Sequence, residues 1–316
     1  MESSKPSFSE LFEHTINFPD PNMRERLGLL VGLDDTKETL KKIIGLLINP
    51  DGVAEWAKKY HPDAKQILNF VTRRPPLIIL AGDVGSGKSE LAYTIGDAVA
   101  RQQDIEVTLF PLSLATRGQG RVGQMTQLIS SAFEYTLEHA KKLKNDDAKS
   151  RGAVILLVDE ADALAQSREN EQMHHEDKAG VNAFIRGIDS LGNGKLPAAV
   201  IMCTNRPNSL DPAIRRRAAE IVYFTRPSAE SRKSVLHQPL SELGFAEKDI
   251  LKIVELTGST GERSYGFTFS DLVQRLLPSL VLDAYPNSAV DPKRAIQLTE
   301  NILPTEPFKE RMGYGE

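Results

Sequence analysis

A glycine-rich segment near the first quarter of the chain constrains its fold more than any other feature. It reads Gly82-Asp83-Val84-Gly85-Ser86-Gly87-Lys88-Ser89. The segment has the form G-x-x-x-x-G-K-S and directly follows an apolar run at residues 77–80. A buried strand, a glycine-rich turn and a helix in this order form a cradle whose backbone N–H groups face an anion. The sequence therefore predicts phosphate binding, with Lys88 reaching the β- and γ-phosphates and Ser89 ligating Mg²⁺.

A second apolar run, at residues 153–158, is followed by Asp159-Glu160-Ala161-Asp162. Continuous apolar runs with β-branched residues are typical of strands that are buried on both faces of a parallel sheet. Asp159, at the carboxyl end of such a strand, can hold Mg²⁺ through its water shell. Glu160 points elsewhere and can polarise an attacking water. The pair indicates hydrolytic chemistry, and the N-K-x-D motif that GTPases use does not occur in the chain.

A third apolar run, at residues 198–203, leads to Asn205 and then to three arginines, Arg215-Arg216-Arg217. Asn205 is expected beside the γ-phosphate, where a neutral amide can help to place the water. The arginines could form a solvated basic face. Because they follow Asn205 so closely, we predict instead that one or two of them present a guanidinium to a neighbouring subunit's γ-phosphate, first Arg217 and next Arg216.

The order and spacing of these motifs resemble the AAA+ ATPases. The resemblance rests on the phosphate loop, D-E-A-D, T-N-R-P at residues 204–207 and L-D-P-A-I-R-R-R at residues 210–217. Residues 31–38 resemble the segment whose backbone contacts adenine in that family, which implies such contacts for Gly32 and Leu33. Residues 266–272 resemble a motif of the helical lid. The resemblance covers about residues 28 to 300. It implies an α/β P-loop NTPase, with a parallel sheet flanked by helices and a small C-terminal helical lid, that uses ATP and Mg²⁺ as a homohexamer.

A narrower resemblance is to the pachytene-checkpoint / thyroid-receptor-interactor ATPases, which remodel HORMA-domain proteins. It rests on residues 181–189 and on the stretch from Arg217-Ala218-Ala219 to Arg226-Pro227-Ser228. The short bacterial members, which accompany HORMA proteins and nucleotidyltransferases in CBASS anti-phage operons, are the most similar in form. The resemblance implies an ATP-hydrolysing remodeller of a HORMA-domain signalling protein that controls a CD-NTase in bacterial anti-phage defence.

Two segments depart from the AAA+ pattern. The place of the substrate-gripping pore loop is taken by a stretch without an aromatic residue, namely Arg117, Gly118, Gln119, Gly120, Arg121 and Val122. We predict that its arginines, its valine and its glycine backbone contact substrate, although a mobile loop without that role is an alternative. The His174-His175 segment is either a second pore-facing loop or a plain surface loop. In the lid, Ser270 stands where many AAA+ proteins have an arginine that touches the γ-phosphate, and whether Arg275 substitutes is open.

Composition restricts the partners and the compartment. The 39 basic and 43 acidic residues give a net charge of −4, which argues against a dedicated nucleic-acid surface. The rival interpretation, a DNA-associated initiator or a clamp-loader-like switch, would call for a basic stripe or an appended helix-turn-helix, and the sequence shows neither. The single cysteine, Cys203, lies in a predicted strand, which favours a reducing cytosol and a cytoplasmic location. No apolar run has the length of a signal peptide or of a membrane span.

The predicted organisation is a short leader at residues 1–27, a large α/β ATPase domain at 28–226, a helical lid at 227–303 and a tail at 304–316. Apolar spacing predicts helices at residues 37–47 and 125–143. In the lid it predicts helices at 229–243, 247–257, 270–285 and 292–302, with a kink at Pro278. Trp56, the only tryptophan, is predicted to pack in the core.

Overall fold

A computed structural model describes residues 6–12, 14–113, 124–145, 150–165, 175–192, 196–206, 208, 210–261 and 263–308. The chain forms two compact units. The first comprises residues 1–28, 35–81 and 89–223, and the second comprises residues 29–34, 82–88 and 224–316. The phosphate loop is therefore grouped with the C-terminal helices, whereas Ser89 belongs to the first unit.

A six-stranded sheet forms the centre of the first unit. Its strands are β1 (Ile16–Phe18), β2 (Leu77–Gly82), β3 (Glu106–Ser113), β4 (Gly152–Asp159), β5 (Ala198–Thr204) and β6 (Ala218–Phe224). The spatial order is β1-β3-β4-β5-β2-β6. β3, β4, β5 and β2 are parallel to one another, and β1 is antiparallel to β3. The predicted α/β class with a parallel sheet flanked by helices is confirmed for these four strands, and the antiparallel edge strand β1 was not predicted.

The central strands are buried on both faces. Successive residues of a strand point to opposite sides, so that Val154, Leu156 and Val158 share one face of β4. These three residues contribute to one core cluster together with Val200 of β5, and Ile155 and Leu157 on the opposite face are also fully buried. Two buried faces require covering helices on both sides, which explains why these strands are apolar throughout.

Among the described residues, ten helices belong wholly or largely to the first unit. They are α1 (Phe8–Leu11), α2 (Pro21–Gly28), α3 (Asp34–Ile48), α4 (Pro50–Tyr60), α5 (Lys65–Val71), α6 (Lys88–Gln103), α7 (Gln124–Leu143), α8 (Asp162–Ala165), α9 (His175–Gly192) and α10 (Pro212–Arg215). Helices α7 and α9 pack together over the sheet, where the rings of Phe133 and Phe184 meet edge to face at 5.5 Å. A Cβ on Gly187 would come within 2.3 Å of the Phe133 ring, so this contact between the two helices requires glycine.

The segment predicted as a leader contributes to the sheet and its core. Its strand β1 pairs with β3, and Phe12 and Phe18 are almost completely buried. Phe18 lies so close to Gly96 of α6 that a Cβ there would approach its ring to 2.3 Å. The Asp20 backbone N–H donates to the buried Asp97 carboxylate of α6 at 2.8 Å. The four predicted domain ranges stay predictions.

The second unit contains α11 (Ala229–Glu242), α12 (Glu247–Leu256), a π-helix (Asp271–Leu276), α13 (Leu277–Ala284) and α14 (Pro292–Asn301). Their core includes Leu236, Ile253, Phe267 and Leu272, which are fully buried. Three of the four predicted lid helices are confirmed with small shifts at their ends. The fourth, a kinked helix over 270–285, is wrong in detail, because a π-helix precedes α13 and Pro278 lies in the first turn of α13.

The prediction that Trp56 packs in the core is wrong. Its side chain is 51% exposed on α4, and it lies beside Tyr60 and His61. The predicted helices at 37–47 and 125–143 are confirmed as α3 and α7. In the described ranges, no helix has both the length and the apolar character that a bilayer crossing requires.

Candidate nucleotide-binding and hydrolysis site

The glycine-rich segment forms the turn between β2 and α6, as its sequence predicts. Gly85 and Gly87 have φ angles of +70° and +93°, in the left-handed region where glycine carries no steric cost. A Cβ on Gly85 would also lie 2.8 Å from Thr268 Oγ1. Both the backbone angles and the close packing therefore demand glycine in this loop.

Lys88 is held by acceptors of the same loop. Its Nζ donates to the carbonyl oxygens of Gly82 at 3.0 Å and Asp83 at 2.7 Å, and it lies 3.4 Å from Ser86 Oγ. Ser86 and Lys88 are both buried. The loop thus concentrates an ammonium group and glycine N–H groups within a few residues, which suits a polyphosphate.

The predicted adenine-contacting segment lies next to the phosphate loop. Gly32 has a φ of +79°, and a Cβ there would lie 3.2 Å from Ser231 Cβ. The Leu33 side chain lies in van der Waals range of Gly87, at 3.5 Å from the position of a Cβ on that glycine. Val84, between the glycines, is 41% exposed. Gly32 and Leu33 are therefore close to the phosphate loop, as an adenine-contacting role requires.

In the first unit, the predicted magnesium ligands meet directly. Ser89 Oγ donates to Asp159 Oδ1 at 3.0 Å. A hydroxyl and a carboxylate are the hard oxygen donors that Mg²⁺ prefers, and Mg²⁺ usually keeps several waters and takes few protein ligands. The two residues therefore fit the ion together with substrate phosphates. Among the described residues, no group of three or more His, Cys, Asp and Glu side chains could hold a metal by itself.

Glu160 follows Asp159 with a left-handed backbone. Its φ is +52°, which is uncommon for a residue with a side chain, and its N–H donates to Asp159 Oδ1 at 2.9 Å. The sharp turn ends β4 and leaves the Glu160 carboxylate exposed. Adjacent acidic residues therefore lie in different environments, with Asp159 bonded to Ser89 and Glu160 directed outward.

Asn205 is held by a carboxylate that the sequence analysis did not assign to the site. Asp162 Oδ1 accepts from the Asn205 N–H at 2.7 Å and from Thr204 Oγ1 at 2.9 Å, while Asp162 Oδ2 accepts from Asn205 Nδ2 at 3.2 Å. Because the amide nitrogen donates to Asp162, the amide oxygen of Asn205 is oriented away from that carboxylate. The last residue of D-E-A-D was the available signal for this contact.

The arginines differ from the sequence prediction in their backbone. Consecutive residues at 210–217 would suit one short helix, but α10 ends at Arg215, so that Arg216 and Arg217 lie in the turn beyond it. Arg217 makes a two-pronged ion pair with Asp189 of α9, at 2.6 Å from Nε and 2.9 Å from Nη2. The hydrogen bonds with Asp189 raise the pKa of Arg217 above its usual value. Arg216 is exposed.

The predicted lid contacts the phosphate loop through its backbone. The N–H of Ser270, which was predicted to stand where related proteins have an arginine that touches the γ-phosphate, donates to the Gly85 carbonyl at 3.1 Å. Arg275 donates from Nη1 to Asp271 Oδ1 at 2.9 Å, within its own helix. The predicted pore loop, Arg117 to Val122, lies outside the described residues, and so does His174.

Comparisons with known proteins agree with this arrangement. The profile of the ATPase family associated with various cellular activities (AAA) matches residues 78–226. The chain is 64% identical to CD-NTase-associated protein 6 of Escherichia coli strain MS 115-1, and the match covers 97% of this chain and 99% of that protein.

Two solved structures are similar in fold and sequence. One is described as a HORMA:CdnC:Trip13 complex of E. coli MS115-1, of which a chain is 62% identical with a TM-score of 0.89; the match covers 96% of this chain and 100% of that one. The other is a Trip13 of Rhizobiales, 53% identical with a TM-score of 0.74, and the match covers 94% of this chain and 100% of that one.

Proposed function

The chain belongs to the family of CD-NTase-associated protein 6 within the AAA ATPases, and we propose that it couples ATP hydrolysis to the remodelling of a HORMA-domain protein. The observation that supports ATP hydrolysis most is the contact of Ser89 Oγ with Asp159 Oδ1. Ser89 directly follows a phosphate loop in which Gly85 and Gly87 have positive φ angles. In this proposal the ATPase domain comprises residues 28–226 and the lid residues 227–303.

Each residue of the site has a proposed role. Lys88 and the N–H groups of the loop bind the phosphates, and Gly32 and Leu33 contact adenine. Ser89 and Asp159 hold Mg²⁺, which supplies positive charge to the phosphate oxygens. Glu160 orients the attacking water and accepts its proton, because an outward carboxylate at the end of β4 can act as a general base. Asn205, fixed by Asp162, places the same water.

The charge that develops on the transferred phosphoryl group needs a further cation. We assign this role to an arginine of the adjacent subunit in a homohexamer, first Arg217 and next Arg216. A guanidinium suits the role because its planar fork matches phosphate oxygens and stays charged. The pair with Asp189 holds Arg217 at a defined position on the surface of its own subunit.

The proposed partner is a HORMA-domain protein that controls a CD-NTase in bacterial anti-phage defence. The support is the 62% identical chain solved in a complex described as HORMA:CdnC:Trip13. The loop of Arg117, Gly118, Gln119, Gly120, Arg121 and Val122 is the proposed contact with the substrate polypeptide. Its arginines can donate to backbone carbonyls of an extended segment, which makes the grip independent of side-chain identity.

One assay tests the function and separates it from a DNA-associated switch. ATP turnover is measured for the chain alone, with a HORMA-domain protein, and with duplex DNA. We expect the HORMA protein to stimulate turnover and DNA to leave it unchanged. Glu160→Gln should bind ATP but lower turnover by about 100-fold or more, because an amide cannot accept the proton of the water. Parental turnover in Glu160→Gln, or stimulation by DNA alone, would overturn the assignment.

A further inference from the structure

The phosphate loop contains a carboxylate, which is an unfavourable group beside a polyphosphate. Asp83 is the second residue of the loop, and its own carbonyl oxygen accepts from Lys88 Nζ at 2.7 Å. From standard bond lengths, its carboxylate lies within about 7 Å of that ammonium group. A polyphosphate bound by Lys88 would therefore lie near the Asp83 carboxylate. The two negative groups would repel each other, and the repulsion is stronger where water is partly excluded.

Arg226 neutralises this carboxylate within the second unit. Its Nε donates to Asp83 Oδ2 at 2.7 Å. Its Nη2 lies 2.7 Å from the same oxygen but is not aligned to donate to it. The two side chains are only 14% and 17% exposed for Arg226 and Asp83, so solvent screens the pair poorly.

The same guanidinium is fixed by the segment that follows α12. Nη1 donates to the Gly266 carbonyl at 2.6 Å, and the guanidinium carbon lies 5.0 Å from the centre of the Tyr265 ring. The other oxygen of the pair, Asp83 Oδ1, accepts from the Val84 N–H at 2.9 Å and more weakly from the Phe308 N–H at 3.4 Å. Arg226 is therefore held in place from both sides, and Asp83 is connected to the loop backbone.

We propose that Arg226 is a positioning residue for nucleotide binding: it cancels the charge of Asp83, so that the phosphate loop accepts the triphosphate, and it ties the loop to the lid segment at Gly266. The inference rests on the proposed nucleotide site but not on hydrolysis. It also explains why an acidic residue is tolerated in this loop. Affinity for ATP then depends on the balance of the two charges and not on Arg226 alone.

A double-mutant cycle tests the proposal. The dissociation constant for Mg-ATP is measured by titration calorimetry in the Glu160→Gln background, where turnover is suppressed. Arg226→Ala leaves a poorly solvated carboxylate without its partner, and we expect the constant to rise about tenfold or more. Asp83→Asn should lower it, because the Arg226 cation then lies beside the phosphates without a compensating carboxylate. Arg226→Ala combined with Asp83→Asn should return it to within about threefold of the parent, since both charges are then absent.

Two further variants control for folding and charge. Arg294→Ala removes a different arginine–carboxylate pair of the same unit, with Asp283, and should leave the dissociation constant unchanged. Arg226→Lys keeps the charge and should bind ATP better than Arg226→Ala. Parental affinity in Arg226→Ala, or a double variant that binds as weakly as Arg226→Ala, would overturn the proposal. Normal ATP binding without turnover in the unmodified chain would instead count against the proposed function alone.

Discussion

The Asp162 carboxylate accepts three hydrogen bonds from the end of β5, and two of them come from Asn205. An asparagine amide can rotate and can exchange its donor and acceptor sides, so its value in a reaction depends on what fixes it. Asp162 fixes both the backbone and the side chain of Asn205. At the scale of single residues, it is therefore a positioning residue for the proposed water-placing amide.

Loss of Asp162 should lower turnover more than binding. In Asp162→Ala we expect kcat to fall about 10- to 100-fold with little change in KM, because the amide that orients the water loses its constraint. Asn205→Ala should show a similar loss, and the double variant should be no worse than either single one, since both act through one group. Asp283→Ala, in a surface ion pair of the second unit, serves as the control. Additive losses in steady-state kinetics would contradict this role for Asp162.

The positions of Asp159 and Asn205 were predictable from sequence, whereas the ion-pair partners of the arginines were not. Asp159 and Asn205 each follow an apolar run, and the carboxyl ends of parallel strands lie along one edge of a sheet. The ion pairs of Arg217 with Asp189 and of Arg226 with Asp83 join residues 28 and 143 positions apart. No local pattern encodes such pairs, because they depend on how separate elements pack.

At the scale of elements, the π-helix at Asp271–Leu276 is the clearest departure from the predicted fold. Apolar spacing gives nearly the same signal for one continuous α-helix as for a π-turn followed by one, so the sequence predicted a single helix. The side chain that begins the π-helix is fully buried. Asp271 accepts from the Thr268 and Thr305 N–H groups, at 2.9 and 3.0 Å, and from Thr305 Oγ1 at 2.7 Å.

This carboxylate should make the stability of the protein sensitive to acid. Burial alone would raise the pKa of Asp271, but hydrogen bonds from Thr268 and Thr305 outweigh burial and lower it. A pKa that is lower in the folded state than in the unfolded state stabilises the protein at any pH above the pKa of the unfolded state, which is about 3.9. This stabilisation is lost as the pH falls through the pKa of the folded state.

The unfolding temperature tests this prediction. As the pH falls from about 5 to about 2, the unfolding temperature of the parent should fall further than that of Asp271→Asn, because the amide does not titrate. Asp271→Asn should be less stable at neutral pH, since it replaces a buried acceptor. Glu300→Gln, at an exposed carboxylate, should follow the parent. Equal acid sensitivity of the parent and Asp271→Asn would contradict the prediction.

At the scale of the whole molecule, the proposed mechanism calls for a cation from a neighbouring subunit. Among the described residues, Arg217 is held by Asp189 and by the Ala213 carbonyl of its own chain, while Arg216 is exposed in the same turn. The pair could fix Arg217 for use by a neighbour, or it could anchor the turn that presents Arg216. Sequence spacing does not separate these possibilities, because both arginines lie past the end of α10.

Mixed rings separate them. Rings made only of Arg217→Ala or only of Glu160→Gln subunits should be inactive, because each lacks one component at every interface. When the two are mixed equally, about a quarter of the interfaces in a closed ring combine an intact Glu160 with a neighbour's intact Arg217, and turnover should recover to about that fraction of the parental rate. Mixing Arg216→Ala with Glu160→Gln subunits in the same way shows which of the two arginines serves the neighbouring site. Two differently tagged subunits, recovered together, establish that the rings are mixed. If neither arginine variant is rescued in such rings, the cation is not supplied by the neighbouring subunit.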